Sequence, residues 1–227
     1  NSYKTCHTRW LTEYGFAVAS ISYRLTDNAT FPAQIHDCKG AVRWLRAHAA
    51  EYGYNAERIG VAGTSAGGHL ALLLGVTGGD DAQEGTVGGH LDQSSRVQAV
   101  VDYYGPSDFL LRSKNQPSKT EKPDSPVRLL LGKPVSEATE LARQASPAYF
   151  VTPDDPPLLI IHGEKDTSVH LDQSERMVEE YGRAGLEVKL EVVPGAGHGG
   201  QACFTPRYQE QVAEFFAKHL RTDAKQP

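Results

Sequence analysis

Cysteine is scarce in this chain of 227 residues. The three cysteines, Cys6, Cys38 and Cys203, are too few for a disulfide framework, and their odd number leaves at least one thiol unpaired within the chain. Their spacing also matches no zinc-binding pattern. We therefore expect the cysteines to pack as small buried or half-buried side chains, and none of them to be a nucleophile.

Long apolar segments and runs of basic residues are missing too. No stretch approaches the ~18 apolar residues of a transmembrane helix, and 23 Lys and Arg residues against 28 Asp and Glu residues give a formal net charge of −5. These absences argue against a membrane span and against nucleic acid as a partner. No signal peptide is visible, so a cytoplasmic and a secreted location both stay open. Because the chain begins with Asn1 rather than Met, we expect a processed or truncated product.

Motifs for metal and nucleotide binding are also absent. The nine histidines show neither H-x-H nor H-E-x-x-H spacing, and no G-x-x-x-x-G-K-[ST] sequence occurs. We therefore expect neither a metal ion nor a cofactor.

Alternating apolar segments predict the secondary structure. Short apolar, β-branched runs predict strands at 16–22, 58–62, 97–104, 157–162 and 188–193. Apolar residues at helical spacing predict helices at 3–14, 33–52, 66–76, 127–131, 136–144, 171–184 and 206–220.

This alternation predicts an α/β fold, with a doubly wound, mostly parallel sheet and helices on both faces. Functional groups in such sheets lie on loops beyond the carboxyl ends of the strands. We expect a single domain over 1–227, with a cap-like insertion at about 107–152. The insertion either overhangs the site and selects the substrate or is a surface excursion that never touches ligand.

The sequence Gly63-Thr64-Ser65-Ala66-Gly67 lies between a predicted strand and a predicted helix. A serine between two glycines at such a turn is typical of the nucleophile elbow of serine hydrolases. The turn is sharp, so we expect Gly63 and Gly67 to provide room because they lack a Cβ. The N–H groups that begin the helix point towards the site, where negative charge develops. A tight structural turn is the alternative interpretation.

A serine hydroxyl needs a base, and the base needs an acid to orient it. In α/β-hydrolases the nucleophile, the acid and the histidine follow one another in that order along the chain. Asp166 and His198 each lie a few residues beyond a predicted strand, and glycines flank His198. We therefore predict that Ser65 and His198 belong to a catalytic triad, with Asp166 as a candidate for its acid.

Two other acidic residues compete for the acid position. Glu164 lies in the same loop as Asp166, and Asp108 follows the strand at 97–104, where it could instead cap a helix or turn. Three aromatic residues, Tyr103, Tyr104 and Phe109, either line an acyl pocket or belong to the core.

Several motifs resemble the α/β-hydrolase esterases, especially the hormone-sensitive-lipase-like and feruloyl- and acetyl-esterase-like (BD-FAE-like) branch. They are Ser22-Tyr23-Arg24-Leu25, Phe31-Pro32-Ala33-Gln34 with Asp37, Ala41-Val42-Arg43-Trp44-Leu45, Gly63-Thr64-Ser65-Ala66-Gly67-Gly68-His69-Leu70-Ala71, His162-Gly163-Glu164-Lys165-Asp166 and Gly195-Ala196-Gly197-His198-Gly199. The similarity covers essentially the whole chain, with the motifs in the expected order. It implies Ser65 as nucleophile, Asp166 as acid and His198 as base.

The resemblance also implies a His-Gly-Gly-Gly-type loop upstream, which completes the oxyanion hole, and earlier strands of the sheet. This chain begins at what looks like the helix after that loop. The Ala66 N–H is therefore the recognisable oxyanion donor. We expect a fragment whose N-terminal strands are missing. If the chain is instead the whole molecule, its exposed sheet edge favours association into homo-oligomers.

These patterns predict a serine carboxylesterase that forms an acyl-enzyme on Ser65. The resemblance implies short or aromatic acyl esters, such as acetyl or feruloyl esters of polysaccharides, as substrates. Two alternatives remain at this point: a serine peptidase of the prolyl-oligopeptidase type, and a non-catalytic binding protein with the same fold.

Overall fold

A four-stranded parallel sheet forms the centre of the computed structural model, which describes residues 6–221. The strands lie side by side in chain order, as β1 (Gly60–Thr64), β2 (Ala99–Tyr103), β3 (Leu158–Gly163) and β4 (Val188–Val193). Each strand pairs with the next in parallel. All four carboxyl ends therefore meet at one edge of the sheet, where the predicted site residues follow them.

Helices connect the strands. They are α1 (Ala33–Ala47), α2 (Ala49–Tyr52), α3 (Ala66–Val76), α4 (Asp81–Glu84), α5 (Phe109–Asn115), α6 (Pro126–Leu131), α7 (Thr139–Gln144), α8 (Asp172–Ala184) and α9 (Pro206–Leu220). Short 3₁₀ helices lie at Arg9–Tyr14, Pro117–Lys119, Val135–Glu137, Pro147–Tyr149 and Gln201–Phe204.

Side chains from the central strands point alternately to the two faces of the sheet. On β2, Val100 belongs to one hydrophobic cluster, whereas Ala99 and Val101 belong to another. The first cluster packs against α1, α3 and α8, and the second packs against α9 and the 3₁₀ helix Arg9–Tyr14. The predicted doubly wound sheet with helices on both faces is confirmed.

One face of the segment 107–152 packs into the interior. Its side chains Val127, Leu131, Val135 and Ala142 are at most 4% exposed and belong to the same hydrophobic cluster as α1 and α3. The predicted helices at 127–131 and 136–144 correspond to α6 and to the 3₁₀ helix Val135–Glu137 followed by α7. A role of this segment as a cap over the site stays a prediction.

Three local predictions need correction. The segment 16–22 is not part of the sheet: its Phe16 and Val18 pack against the α9 cluster, so its apolar residues serve packing rather than strand pairing. Only Arg9–Tyr14 of the predicted helix 3–14 is helical, as a 3₁₀ helix, and residues 1–5 lie outside the described residues. The predicted helix 33–52 breaks at His48, between α1 and α2.

Within residues 6–221, no helix has both the length and the apolar character needed to cross a membrane.

Candidate active site

Ser65 occupies a strained turn between β1 and α3. Its backbone has φ 51° and ψ −115°, a conformation that non-glycine residues seldom adopt. The Ser65 N–H donates to the carbonyl of Tyr103, at 2.8 Å, at the end of the neighbouring strand β2. Such strain persists only where the surrounding structure fixes it and is concentrated at functional sites.

The close contacts of this turn involve Gly63 and Gly68. A Cβ on Gly63 would lie 2.0 Å from the Gly67 carbonyl oxygen, and one on Gly68 would lie 2.2 Å from Oδ1 of Asp102. A Cβ on Gly67, by contrast, would meet no atom within 4 Å. The prediction that Gly67 provides room is therefore wrong. The chain comes closest to itself between β1 and the first turn of α3. There the second glycine that the packing requires is Gly68, not Gly67.

The three predicted triad side chains lie together at the carboxyl ends of β1, β3 and β4. The Ser65 hydroxyl oxygen is 2.9 Å from Nε2 of His198, and Nδ1 of His198 is 2.6 Å from Oδ2 of Asp166. Because a carboxylate only accepts hydrogen bonds, Nδ1 carries the proton. Nε2 is then free to accept the proton of the serine hydroxyl, which is the arrangement that a general base requires.

The side chain of Asp166 is completely buried, whereas that of His198 is 27% exposed. Burial acts to raise the pKa of Asp166, but hydrogen bonds from His162, Val169, His198 and Ser168 outweigh it and lower the pKa to about 2. Asp166 is therefore ionised at neutral pH, and its carboxylate accepts the hydrogen bond from Nδ1 of His198.

A second imidazole contacts the acid. Nε2 of His162 is 2.9 Å from the Val169 carbonyl and 3.3 Å from Oδ2 of Asp166, and Nδ1 is 2.6 Å from the Ser174 hydroxyl. Both partners of Nε2 are acceptors, so this nitrogen carries the proton. In the sequence His162 stood out only as the first residue of the motif His162-Gly163-Glu164-Lys165-Asp166. The signal for its role was its position four residues before Asp166.

The loops that carry the acid and the base are joined by short hydrogen bonds. The Lys165 N–H donates to the Ala196 carbonyl at 2.8 Å, and the Gly195 N–H donates to Oε2 of Glu164 at 2.7 Å. A Cβ on Gly163 would lie 2.3 Å from the Gly197 carbonyl oxygen, so this approach requires glycine. Glu164 therefore holds the loop of His198, and the carboxylate beside the imidazole is that of Asp166.

Asp108, the other competitor, begins α5. Its Oδ1 accepts from the N–H groups of Leu110 and Leu111, at 3.0 and 2.9 Å, and its Oδ2 pairs with Arg176. This is the helix-capping role considered as its alternative.

The helix α5 also reaches the acid loop. The buried Arg112 donates to the Ser168 carbonyl at 2.7 Å, and the side-chain amide of Gln116 donates to the Thr167 carbonyl at 3.1 Å. The Ser168 N–H in turn donates to Oδ1 of Asp166 at 2.8 Å. The segment 107–152 thus fixes the loop of the acid, a contact that sequence spacing alone did not reveal.

Of the three aromatic residues considered for an acyl pocket, Tyr104 lies at the site. Its ring meets that of His198 edge to face, with centroids 4.9 Å apart, and its φ is 47°. Tyr103 stacks on Phe204 instead, and Phe109 packs against His69. Tyr104 therefore restricts the orientation of the His198 imidazole.

His69 connects the elbow helix to the segment 107–152. It is buried, and its Nε2 is 2.6 Å from the Ala145 carbonyl. Burial lowers the pKa of His69 to about 4, so the imidazole is neutral and donates this hydrogen bond. His69 packs against the core, as expected for a histidine on this helix.

Ala66 is the first residue of α3 and is exposed. N–H groups in the first turn of a helix have no acceptor within that helix, and the helix dipole is positive there. A role of the Ala66 N–H as an oxyanion donor stays a prediction.

Within residues 6–221, no group of three or more His, Cys, Asp or Glu side chains is arranged to hold a metal ion. The three cysteines are free thiols, with Cys38 and Cys203 buried.

A parallel sheet with helices on both faces, a strained serine elbow after one strand, and acid and histidine loops after two others define the α/β-hydrolase class. The BD-FAE family model matches residues 1–181, most of the chain. This match includes Ser65 and Asp166 and ends before His198. The chain therefore belongs to the BD-FAE family of α/β-hydrolase esterases.

Two of the curated relatives come from Mycobacterium tuberculosis. Esterase LipC is 34% identical over 190 residues, which are 83% of this chain and 46% of that protein. Esterase LipQ is 32% identical over 209 residues, 90% of this chain and 48% of that protein. The chain thus spans about half the length of these relatives.

Solved structures are similar over nearly the whole chain. A truncated form of a carbohydrate esterase from gut microbiota superposes with a TM-score of 0.83 and 37% identity, over 92% of this chain and 75% of that one. An acetyl ester-xyloside bifunctional hydrolase from Caldicellulosiruptor lactoaceticus superposes with a TM-score of 0.76 and 25% identity, over 93% of this chain and 74% of that one.

Proposed function

We propose that this chain carries the catalytic triad of a serine carboxylesterase that releases short or aromatic acyl groups from carbohydrate esters. The observation that carries the proposal is the continuous contact from the Ser65 hydroxyl through His198 to Asp166, at 2.9 and 2.6 Å. These distances lie within hydrogen-bond reach for a nucleophile, its base and the acid that orients the base.

In the first step, Oγ of Ser65 attacks the ester carbonyl carbon while Nε2 of His198 takes the hydroxyl proton. The imidazolium that forms donates through Nδ1 to Asp166, which stays ionised because its pKa is about 2. Nε2 then gives its proton to the oxygen of the leaving alcohol. The C–O bond breaks, and the acyl group remains on Ser65.

In the second step, water attacks the acyl-enzyme while Nε2 of His198 takes a proton from it. The carboxylic acid leaves as Oγ of Ser65 recovers that proton, so the enzyme returns to its starting state. Both steps pass through an oxyanion next to Ser65. The Ala66 N–H donates to it, and one such donor is typically worth about 10²–10³ in rate.

The substrate class rests on the relatives. The similar structures are described as a carbohydrate esterase and an acetyl ester-xyloside hydrolase, which supports an acyl group attached to a sugar hydroxyl. The relatives quoted above are described as esterases, which favours ester cleavage over the peptidase alternative.

The test uses the full-length protein with p-nitrophenyl acetate, an acetylated xylo-oligosaccharide and methyl ferulate. We expect Ser65→Ala to abolish turnover of every ester that the unmodified protein hydrolyses. Ser118→Ala, an exposed serine on the same chain, is the matched control and keeps full activity. Equal rates for the unmodified protein and Ser65→Ala would contradict the proposal.

Labelling with a fluorophosphonate separates the remaining alternatives. A single adduct on Ser65 together with ester turnover supports the esterase. Cleavage of Ala- or Pro-containing anilides without ester turnover would favour the peptidase. A folded protein with no adduct would favour a binding protein.

A further inference from the structure

An acidic residue that the triad does not use lies within the strand next to Ser65. Asp102 belongs to β2, in register with Gly63 on β1 and Ile160 on β3, and it is 0% exposed. Removing a carboxyl group from water is costly unless a specific interaction compensates for it. A carboxyl group here therefore requires a physical reason.

The contacts of Asp102 are with the two turns that surround the nucleophile. Its Oδ1 accepts a hydrogen bond from the Gly105 N–H at 2.9 Å. A Cβ on Gly68 would lie 2.2 Å from this oxygen, and one on Gly105 would lie 2.6 Å from it. The carboxyl group thus fills the space between the first turn of α3 and the turn that follows β2.

The turn from Asp102 to Gly105 contains two groups that contact the triad. The Tyr103 carbonyl accepts the Ser65 N–H at 2.8 Å, and the Tyr104 ring packs against His198. Tyr104 has a φ of 47°, which a tyrosine adopts only when its neighbours fix it. The hydrogen bond from Gly105 to Asp102 closes this turn across three residues.

We propose that Asp102 is a positioning residue for the hydrolytic reaction, whose carboxyl oxygen fixes the turn 102–105 and thereby orients the Ser65 backbone and the Tyr104 ring. This inference rests on the proposed function for its kinetic readout. It goes beyond that function because Asp102 touches none of the reacting atoms.

The role requires an acceptor rather than a charge. Burial raises the pKa of Asp102 to about 7, against the opposing effects of His162 and the Gly105 N–H. Oδ2 has no hydrogen-bond partner among the described residues. One oxygen of the group therefore performs the positioning whether or not the carboxyl group is ionised, and an amide supplies the same oxygen.

Two substitutions separate the acceptor from the charge. Asp102→Asn keeps an acceptor for Gly105, so we expect kcat within about threefold of the unmodified protein. Asp102→Val suits a strand but removes the acceptor, so we expect kcat to fall about tenfold or more with KM nearly unchanged. Asp92→Val, at an exposed aspartate in the loop before β2, is the matched control and leaves kcat unchanged. Should Asp102→Val not fold, Asp102→Ala removes the same acceptor.

Amide hydrogen exchange of the full-length protein gives a second readout that needs no substrate. We expect Asp102→Val to accelerate exchange at both Gly105 and Ser65 by about tenfold, the equivalent of one hydrogen bond, and Asp102→Asn to leave both nearly unchanged. If the unmodified protein hydrolyses no ester, the proposed function fails while the exchange pattern still decides the role of Asp102.

Three results would overturn the inference. They are an unchanged kcat in Asp102→Val, an unchanged Ser65 exchange rate in the same variant, and a loss in Asp102→Asn as large as that in Asp102→Val. The last result would assign the effect to charge instead of to the hydrogen bond.

Discussion

Replacing Asp166 by asparagine changes which groups can donate at the centre of the site. Oδ1 of Asp166 accepts from the Ser168 and Val169 N–H groups, at 2.8 and 2.9 Å. The amide oxygen of an asparagine keeps this position, so its NH₂ group must face His198. A donor then opposes the proton on Nδ1 of His198, and the imidazole must change tautomer.

In the other tautomer, Nε2 of His198 carries the proton and cannot accept one from Ser65. We therefore expect Asp166→Asn to lower kcat by about 10⁴-fold, the loss associated with the wrong tautomer in serine proteases. The KM should change much less, because the carboxylate is buried beneath the imidazole. Steady-state hydrolysis of p-nitrophenyl acetate measures both.

The same substitution has a defined effect on stability. The pKa of Asp166 falls from the ordinary 3.8 to about 2 in the folded protein, a difference that corresponds to about 2 kcal/mol of folding free energy. Since the folded pKa is depressed, this stabilisation is present above pH 3.8 and is lost as the pH falls through 2. The stability difference between the unmodified protein and Asp166→Asn should therefore shrink across that range.

Urea unfolding at pH 7 and at successively lower pH values tests this expectation. A stability difference that stays constant between pH 7 and pH 2 would refute the assignment of the low pKa to Asp166. A kcat within about tenfold of the unmodified protein would refute the tautomer argument.

Two further predictions concern the turn and the acid loop. Gly63→Ala should destabilise the protein by about 1–3 kcal/mol in urea unfolding because its Cβ would lie 2.0 Å from a carbonyl oxygen. Gly67→Ala, whose Cβ meets open space, should be neutral or stabilising by up to about 1 kcal/mol. A larger loss of stability in Gly67→Ala than in Gly63→Ala would contradict the geometry. Arg112→Met removes the hydrogen bond to the Ser168 carbonyl, so kcat should fall about tenfold. Arg112→Lys should show the same loss, because a lysine does not reproduce the guanidinium geometry. Unchanged kinetics in Arg112→Met would show that Arg112 does not position the acid loop.

The parts of the fold that the sequence predicted are those with a local physical cause. The predicted strands at 97–104, 157–162 and 188–193 are apolar and β-branched, and each coincides with one strand of the sheet to within one or two residues at either end. The elbow was predictable because a serine between glycines after a strand is typical of a sharp strand-to-helix turn, a constraint that is local in the sequence. The segment 16–22 has the same local signal as a strand, but strand formation depends on pairing that local sequence does not encode.

The missed residues are those whose roles depend on how the chain folds back on itself or packs in three dimensions. Arg112 reaches Ser168, 56 residues away, and His162 meets Asp166 only because the loop after β3 folds back. Asp102 had one visible signal, a lone charged residue within an apolar strand. The hydrogen-bond partner of Asp102, Gly105, is close in sequence. The close approach of Asp102 to Gly68, however, depends on the packing of α3 onto β2.

The order of the strands explains why β2 matters although it carries no triad residue. Ser65 follows β1, whereas Asp166 and His198 follow β3 and β4, so β2 lies between the nucleophile and its partners. A displacement of β2 relative to its neighbours changes the distance between the Ser65 hydroxyl and the imidazole. Misplacement of reacting groups by about 1 Å can cost a hundredfold in rate. The hydrogen bond between the Ser65 N–H and the Tyr103 carbonyl, and the Asp102–Gly105 turn behind it, therefore contribute to catalysis by fixing the position of the nucleophile. Substitutions there should accordingly lower kcat rather than raise KM.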